Sequence, residues 1–301
     1  MIIKYIRNYL PNSVKVLIKV IFSPKYHMNI MINDTRSFFG KKYGDKKVIF
    51  VAGYPKSGTT WVENFISNLP GYSPRILGGS KEMIRHHHLP KSAFKKLQKF
   101  SYSSIKTHIL PYSKNINILL NHNINKIIVM YRDPRDIAIS QYHHVLKTNP
   151  WLATDKFYED YTKINKHSAI QHSIDMVLFD YSSWVKGWLD IEKNHSEIEC
   201  MTIKYEDLRS NPSETFKKIL MFYGVDLNDS AFNKTLMYSN KTASNNIFST
   251  LSSLNPGTKS TKRTGKSGEW MTEMSSVHKK CFKDSVGDLL IELGYEKNRD
   301  W

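Results

Sequence analysis

Cysteine is scarce in this chain: only Cys200 and Cys281 occur among its 301 residues, and no CxxC pair is present. Two isolated cysteines exclude a disulfide-stapled scaffold and a zinc ribbon, and they are typical of a reducing compartment. Acidic residues are also few, since 27 Asp and Glu stand against 44 Lys and Arg, which leaves a formal net charge of +17. Such an excess of positive charge favours an anionic partner: a nucleotide, a polyanion, a nucleic acid or an anionic membrane.

Long apolar runs and internal repeats are missing as well. The apolar stretch at residues 14–22 is interrupted by Lys15 and Lys19, so it is too short and too charged to span a bilayer. No small-residue cleavage site follows it, which argues against a secretory signal. Residues 1–46 carry nine Lys and Arg but only two Asp. Two interpretations stay open: a basic amphipathic segment on an anionic membrane surface, or a helix that packs on the main domain and exposes its lysines.

The rest of the chain has an ordinary globular composition, with 40% hydrophobic and 24% charged residues. Short apolar runs rich in β-branched or aromatic residues predict four buried strands: Val48–Ala52, Ile105–Leu110, Ile127–Tyr131 and Cys200–Lys204. Helical patterns lie between them, at Gly58–Leu69 and from near Asp136 onward. Apolar strands that alternate with helices predict an α/β fold with a parallel sheet covered on both faces. Residues 240–268 are rich in Ser, Thr, Asn, Lys and Gly, which predicts a long mobile loop, and loops of that length in compact domains are often functional lids.

The segment Gly53–Trp61, between the first predicted strand and its helix, is typical of an anion-binding turn. Backbone amides at a helix N-terminus and the helix dipole together bind phosphate-like groups. The turn adds hydroxyl donors and a mobile charge: Ser57, Thr59, Thr60 and Lys56. This lysine precedes Gly58 by two positions, whereas a Walker A loop has its lysine after the final glycine. A tight turn without a ligand is the alternative.

A second basic element follows the strand Ile127–Tyr131, where Arg132 comes eight residues before Ser140. An arginine that leaves the C-terminal end of a parallel strand lies where open α/β sheets bind ligands. Its guanidinium can bind a phosphate through two hydrogen bonds. A surface salt bridge between Arg132 and Asp136 is the alternative interpretation.

These motifs resemble those of the cytosolic-type sulfotransferases that use PAPS (3′-phosphoadenosine 5′-phosphosulfate). PKSGTTW at residues 55–61 matches the family's 5′-phosphosulfate loop at all seven positions, and Arg132 and Ser140 match its 3′-phosphate pair. Residues 262–270 are similar to its third signature, R-K-G-x-x-G-[DE]-W, with Thr264 where the family usually has Lys. The resemblance spans residues 48–295. It implies a P-loop NTPase-like three-layer fold for residues 47–301, with a central parallel sheet, helices on both faces, and residues 1–46 as a separate basic segment.

The resemblance also implies catalytic and donor-binding residues. Lys106-Thr107-His108 matches the family's K-T-H element, which makes His108 the general base, and imidazole titrates near neutral pH as this role requires. Lys56 would stabilise the leaving phosphate oxygen, and Lys106 would polarise the transferring sulfuryl group. The implied PAPS-binding residues are Lys56, Ser57, Gly58, Thr59, Thr60, Trp61, Arg132, Ser140, Tyr205, Ser239, Arg263, Thr264 and Gly265.

The expected activity is therefore transfer of the sulfuryl group of PAPS, as co-substrate, to a hydroxyl or amine of an acceptor. The acceptor class stays open among small molecules, lipids and glycans, and no metal ion is expected. The expected location is the cytoplasm, with peripheral membrane association through residues 1–46 as an open alternative. The family's dimer element is not recognisable in Met271–Lys280, so the oligomeric state stays open.

Two rival functions belong to other classes. A P-loop kinase or nucleoside triphosphatase is disfavoured by the position of Lys56 and by the lack of a clear Mg²⁺-binding acid after a strand. A nucleic-acid-binding protein would place its basic residues on one face interleaved with aromatics. Here the basic residues are spread along the chain, and the best-placed ones fall in the nucleotide motifs.

Overall fold

A computed structural model of the chain describes residues 48–75, 77, 88–89, 94, 102–147, 163–242 and 265–301. In these residues one sheet contains the strands β1 (Val48–Gly53), β2 (Tyr72–Arg75), β3 (Tyr102–Thr107), β4 (Lys126–Tyr131) and β5 (Glu199–Lys204). The strand order is β2-β3-β1-β4-β5, and each neighbouring pair is parallel. The parallel α/β sheet predicted from the apolar runs is confirmed.

Helices connect and cover the strands. In the described residues they are α1 (Thr59–Ser67), α2 (Ser113–Leu120), α3 (Pro134–Lys147), α4 (Lys166–Asn194), α5 (Tyr205–Ser210), α6 (Pro212–Phe222), α7 (Asp229–Thr242), α8 (Trp270–Glu273) and α9 (Ser276–Glu292). None of them is both long enough and apolar enough to cross a membrane.

The central strand β1 sends alternate side chains into two separate cores. Ile49 and Val51 pack on one face with residues of α1 and α6. Phe50 and Ala52 pack on the other face with residues of α3, α4 and α9. All four side chains are fully buried, because a parallel strand between two helical layers has no solvent face. The predicted three-layer arrangement is therefore confirmed.

Several predicted boundaries are shifted. Strand β3 begins at Tyr102 and ends at Thr107, so His108 lies just after the strand and not on it. Just after the strand, the indole N–H groups of Trp184 and Trp188 donate to the Ile109 carbonyl oxygen, at 2.9 and 3.2 Å, so this carbonyl is bonded to α4 and not to a neighbouring strand.

Strand β2 escapes prediction because it has only four residues, contains Pro74 and lies at the sheet edge, where a proline is tolerated. The predicted loop at residues 240–268 is partly wrong, since α7 extends to Thr242. Residues 243–264 of that segment, and the basic segment at residues 1–46, lie outside the described residues.

Candidate active site

Four neighbouring strands, β3, β1, β4 and β5, lead at their carboxyl ends into predicted site residues. β1 ends at Gly53, the first residue of the predicted anion-binding turn Gly53–Trp61 (called the phosphate turn below), and β3 is followed by His108. β4 is followed by Arg132, and β5 by Tyr205. Carboxyl ends of parallel strands share one edge of the sheet, which is where such sheets bind ligands. The fold therefore brings together residues that are up to 152 positions apart, from Gly53 to Tyr205.

Two glycines shape the turn between β1 and α1. A methyl group on Gly53 would lie 1.9 Å from Cγ2 of Thr59, so only glycine allows this close approach. Gly58 has φ 86° and precedes the first turn of α1; as a glycine it has no side chain that could accept from the amides of that turn. The buried Ser57 hydroxyl lies 2.6 Å from the Tyr54 carbonyl oxygen and 3.1 Å from that of Met130, which fixes the turn against β4. These contacts fix the turn beside the first amides of α1, and the N-terminus of a helix is a general anion-binding feature.

Tyr205 connects this turn to Arg132. A methyl group on Gly58 would lie 2.6 Å from Cδ2 of the Tyr205 ring. The Cζ atom of Arg132 lies 4.3 Å from the centre of the same ring, a cation–π distance. The Tyr205 hydroxyl donates to the Gly265 carbonyl oxygen at 2.8 Å, so the ring also reaches the third signature segment.

Arg132 is buried and bonded within the same group of loops. Its Nη2 donates to the Lys266 carbonyl oxygen at 2.7 Å and lies 3.5 Å from Oδ2 of Asp136. The two side chains are 6% and 1% exposed, so the expected pair exists, but it is not the surface salt bridge of the alternative interpretation. Asp136 also accepts from the amides of Gly268, at 2.7 Å, and Trp270, at 3.3 Å. Burial raises the pKa of Asp136, and Arg132 opposes that rise.

His108 faces the phosphate turn. Its Nδ1 lies 2.6 Å from the Gly53 carbonyl oxygen. A carbonyl oxygen can only accept, so this contact assigns the proton to Nδ1 and the lone pair to Nε2. The ring is partly buried, and the next residue is held by the two indoles of α4. A half-buried imidazole with a fixed tautomer can take a proton at Nε2.

Two lysines lie at the turn: Lys56 within it and Lys106 on the neighbouring strand β3. Lys106 Nζ donates to the Thr60 hydroxyl at 3.1 Å and lies 2.9 Å from Oε2 of Glu63. Lys56 has φ 69°, the left-handed region that non-glycine residues seldom adopt. Burial and the charge of Lys56 lower the pKa of His144 to about 4. His144 lies one helical turn after Ser140, so α3 carries both along one side.

Helix α4 forms hydrogen bonds with three parts of the site. The Tyr181 hydroxyl donates to the Arg132 carbonyl oxygen at 2.7 Å. Trp184 and Trp188 bind the residue after His108, as described above. The Tyr54 hydroxyl of the phosphate turn donates to Asp180 at 2.5 Å. One rigid helix therefore sets the relative positions of the turn, the histidine and the arginine.

Residues 46–294 of this chain match the sulfotransferase domain family. The chain belongs to the sulfotransferase domain family. This match confirms the resemblance seen in the three sequence motifs.

Curated relatives of this sulfotransferase include two proteins from dog (Canis lupus familiaris). It is 26% identical to sulfotransferase 1A1 over 256 residues, which cover 78% of this chain and 80% of the relative. It is 27% identical to sulfotransferase 1B1 over 212 residues, which cover 62% of each chain.

Solved structures with a similar fold include mouse sulfotransferase SULT7A1 complexed with PAP, with a TM-score of 0.57 and 22% identity over 89% of this chain and 95% of that one. Another is a retinol dehydratase in complex with androsterone and the inactive cofactor PAP, with a TM-score of 0.57 and 18% identity over 86% of this chain and 85% of that one. At these identities the likeness establishes the fold.

The remaining predicted donor residues of the sulfotransferase have different surroundings. Trp61 donates through Nε1 to Asn240 at 3.1 Å, whereas the adjacent Ser239 is buried and donates to the Leu236 carbonyl oxygen within α7. Ser140 is partly buried on the second turn of α3. Arg263 and Thr264 lie outside the described residues. The hydrogen bond from Trp61 to α7 is thus accepted by Asn240, and the donor contact predicted for Ser239 stays a prediction.

Sequence reasoning missed several residues that surround the site: Glu63, Asp180, Tyr181 and Asn240. Each acts on a partner from a distant part of the chain or from another element, so no local spacing marks it. Asp136 is different, because its spacing of four from Arg132 at a helix start did indicate the pair.

Proposed function

We propose that this sulfotransferase transfers the sulfuryl group of PAPS to a hydroxyl or amine of an acceptor. The proposal rests above all on one observation: His108 contacts Gly53 at the start of the phosphate turn, and Arg132 contacts the ring that closes over the end of that turn. A base and a phosphate-binding cation therefore flank one anion-binding turn. The PAP present in solved structures of similar fold supports the choice of donor.

The donor contacts follow from the types of group at the sheet edge. The amides at the start of α1, with Thr59 and Thr60, would hold the 5′-phosphosulfate. Arg132, with Ser140 on the following helix, would bind the 3′-phosphate. Tyr205, beside Arg132, would contact the adenosine. Trp61, Ser239 and the basic segment 262–266 stay predictions.

The catalytic steps follow from the fixed histidine and the lysines. His108 Nε2 takes the proton from the acceptor hydroxyl as its oxygen attacks the sulfur in line. The sulfur–oxygen bond to the donor phosphate breaks, and its electron pair goes to the phosphate oxygen. Lys56 stabilises the charge on that leaving oxygen, and Lys106 polarises the sulfuryl oxygens. The Gly53 carbonyl holds the Nδ1 proton of His108, so the base presents its lone pair and later carries the positive charge.

A transfer assay with labelled PAPS tests this function. Apolar alcohols come first in the acceptor panel, because similar folds were solved with androsterone or with retinol, and phenols, amines, lipids and glycans follow. We expect labelled product from at least one class. His108→Ala should lower kcat at least about 100-fold, since general-base catalysis contributes about 10²–10⁴, while PAP affinity measured by calorimetry is retained.

His122→Ala is the matched control, because His122 is exposed in the turn after α2. Full activity of the His108→Ala variant would show that His108 is not the general base. ATP hydrolysis in place of PAPS turnover would favour the rival nucleoside triphosphatase. The domain boundary at residue 47, the cytoplasmic location and membrane attachment through residues 1–46 stay predictions.

A further inference from the structure

Lys106 is bonded to an acidic side chain that the proposed reaction does not use. Its Nζ lies 2.9 Å from Oε2 of Glu63 and 3.1 Å from the Thr60 hydroxyl. Thr60 and Glu63 are three residues apart on α1, so both project from one side of the helix, toward β3. The side chains of Lys106 and Glu63 are 13% and 15% exposed, so the ion pair is largely shielded from water.

A carboxylate at this position works against donor affinity. PAPS carries several negative charges. Glu63 is paired with Lys106, which in turn donates to Thr60 of the turn that would hold the phosphosulfate. A largely buried ion pair is also weak evidence for a stabilising role, because desolvation offsets the attraction. What the pair does accomplish is geometric: a lysine has a flexible four-carbon stem, and two bonds hold its ammonium in one place.

The direction of the ammonium is the feature that matters for transfer. An ammonium has three N–H groups in tetrahedral arrangement, so its bonds to Glu63 and Thr60 restrict the directions in which these groups point. The Thr60 hydroxyl belongs to the phosphate turn, so the ammonium is tied to the same frame as the donor. Preset charge stabilises a transition state more than a ground state when it needs no rearrangement during the reaction.

We propose that Glu63 is a positioning residue for Lys106, and that it directs the ammonium at the oxygens of the transferring sulfuryl group. The inference rests on the proposed function, in which Lys106 polarises that group. Glu63 touches neither substrate, and its effect passes entirely through the lysine. It therefore acts on kcat, while donor affinity stays the same or improves when the carboxylate charge is removed.

A double-mutant cycle with Glu63→Gln, Lys106→Met and the double variant tests the inference. We expect Glu63→Gln to lower kcat about tenfold or more, since small misplacements of catalytic groups can cost about 100-fold, with PAP affinity by calorimetry unchanged or tighter. In the Lys106→Met background the same change should alter kcat less than about twofold. Glu63→Asp, which keeps the charge on a shorter stem, should recover part of the loss.

Glu214→Gln is the matched control, because Glu214 pairs with Lys218 on the exposed side of α6 and both side chains are more than 60% exposed. An unchanged kcat in Glu63→Gln overturns the inference, as does an equal loss in the presence and absence of Lys106. A loss of kcat that comes with an equal loss of PAP binding and a lower unfolding midpoint indicates a structural role and also overturns it. If Lys106→Met keeps the wild-type kcat, both this inference and the catalytic role of the lysine are overturned. If only the expected effect of Glu63→Gln is missing, the inference is overturned and the proposed function stands.

Discussion

Arg132 serves both the architecture and the proposed donor site of this sulfotransferase. Its side chain contacts Asp136, Tyr205 and the carbonyl of Lys266, and its own carbonyl accepts from Tyr181. A guanidinium has five N–H donors, so it can keep such contacts and still present a face to a phosphate. A residue with this many partners is fixed before the donor arrives.

Arg132→Ala should therefore remove the ability to distinguish PAP from 5′-AMP, which lacks the 3′-phosphate. Hydrogen bonds to charged groups contribute about 1.5–3 kcal/mol, so we expect the Kd for PAP to rise about 10- to 100-fold while the Kd for AMP changes little. Calorimetry with both nucleotides measures the ratio. Arg132→Lys, which keeps the charge but loses the planar fork, should fall between the two, and an unchanged ratio in Arg132→Ala would contradict the assignment.

At the scale of a single element, the turn between β1 and α1 depends on Gly58. Gly58 combines a left-handed backbone with contact to the Tyr205 ring. Gly224, at the end of α6, also has a left-handed backbone, with φ 62°, but a methyl group there would meet no atom within 4 Å. Comparing alanine substitutions at the two glycines therefore distinguishes the free-energy cost of backbone strain, present at both, from that of a steric clash, present only at Gly58.

Gly58→Ala should lower both stability and PAP affinity, whereas Gly224→Ala should lower stability alone. A left-handed non-glycine residue costs about 1–2 kcal/mol, and this is the whole expected effect at Gly224. At Gly58 the added methyl group also displaces Tyr205, which contacts Arg132. Urea unfolding and PAP calorimetry on both variants measure the two effects. Equal losses in the two variants would show that the ring contact has no consequence.

At the scale of the whole molecule, residues near the C-terminus pack against the start of α3. Arg135 is 1% exposed and its guanidinium carbon lies 3.8 Å from the ring centre of Trp270 and 4.3 Å from that of Trp301. It donates to both oxygens of Asp133 and to Glu296. The end of the chain is therefore joined to the strand end that carries Arg132.

Arg135→Ala should destabilise the fold by about 3–5 kcal/mol, because removal of one member of a buried ion pair leaves its partner uncompensated. Arg299→Ala is the matched control, since Arg299 pairs with Asp288 at the surface, where side-chain exposures of 53% and 82% leave the charges screened by water. Urea unfolding curves give both values. A similar, small change in the two variants would mean that the buried network carries no stability.

Stability should also fall as the pH drops below neutral. Burial, together with Lys56, holds the folded pKa of His144 at about 4, and burial with His167 lowers the pKa of His278. The unfolded chain then binds more protons between pH 6.5 and about 4, so the free energy of unfolding rises with pH across this window. For His144 the loss at pH 4 is at most about 3 kcal/mol, at 1.36 kcal/mol per pKa unit.

Unfolding curves of the wild type and of His144→Gln at several pH values measure this effect. The variant should show a flatter dependence between pH 4 and 6.5. Asp136 and Glu206, whose pKa values are raised by burial, act in the opposite direction, so the difference between the two proteins at each pH is the quantity to compare. Identical slopes would contradict the role of His144.

Local patterns were sufficient for the strands β1, β4 and β5, for the helices that follow β1 and β4, and for the family. An apolar strand, a glycine-containing turn and an amphipathic helix are each specified within about ten residues, and PKSGTTW is contiguous. The edge strand β2 and the end of β3 were not predictable in this way. Their limits depend on pairing at the sheet edge and on two indoles of α4.

The partners of the site residues were decided by the tertiary structure. His108 owes its tautomer to Gly53, Lys106 its position to Glu63, and Arg132 its burial to Asp136, Tyr205 and the segment after Gly265. Most of these partners come from other strands and helices, and parallel crossovers bring them to one edge only when the sheet has formed. The residue types that can do the chemistry are thus visible in the chain as written, while the charge, proton position and direction of each group follow from contacts between distant segments.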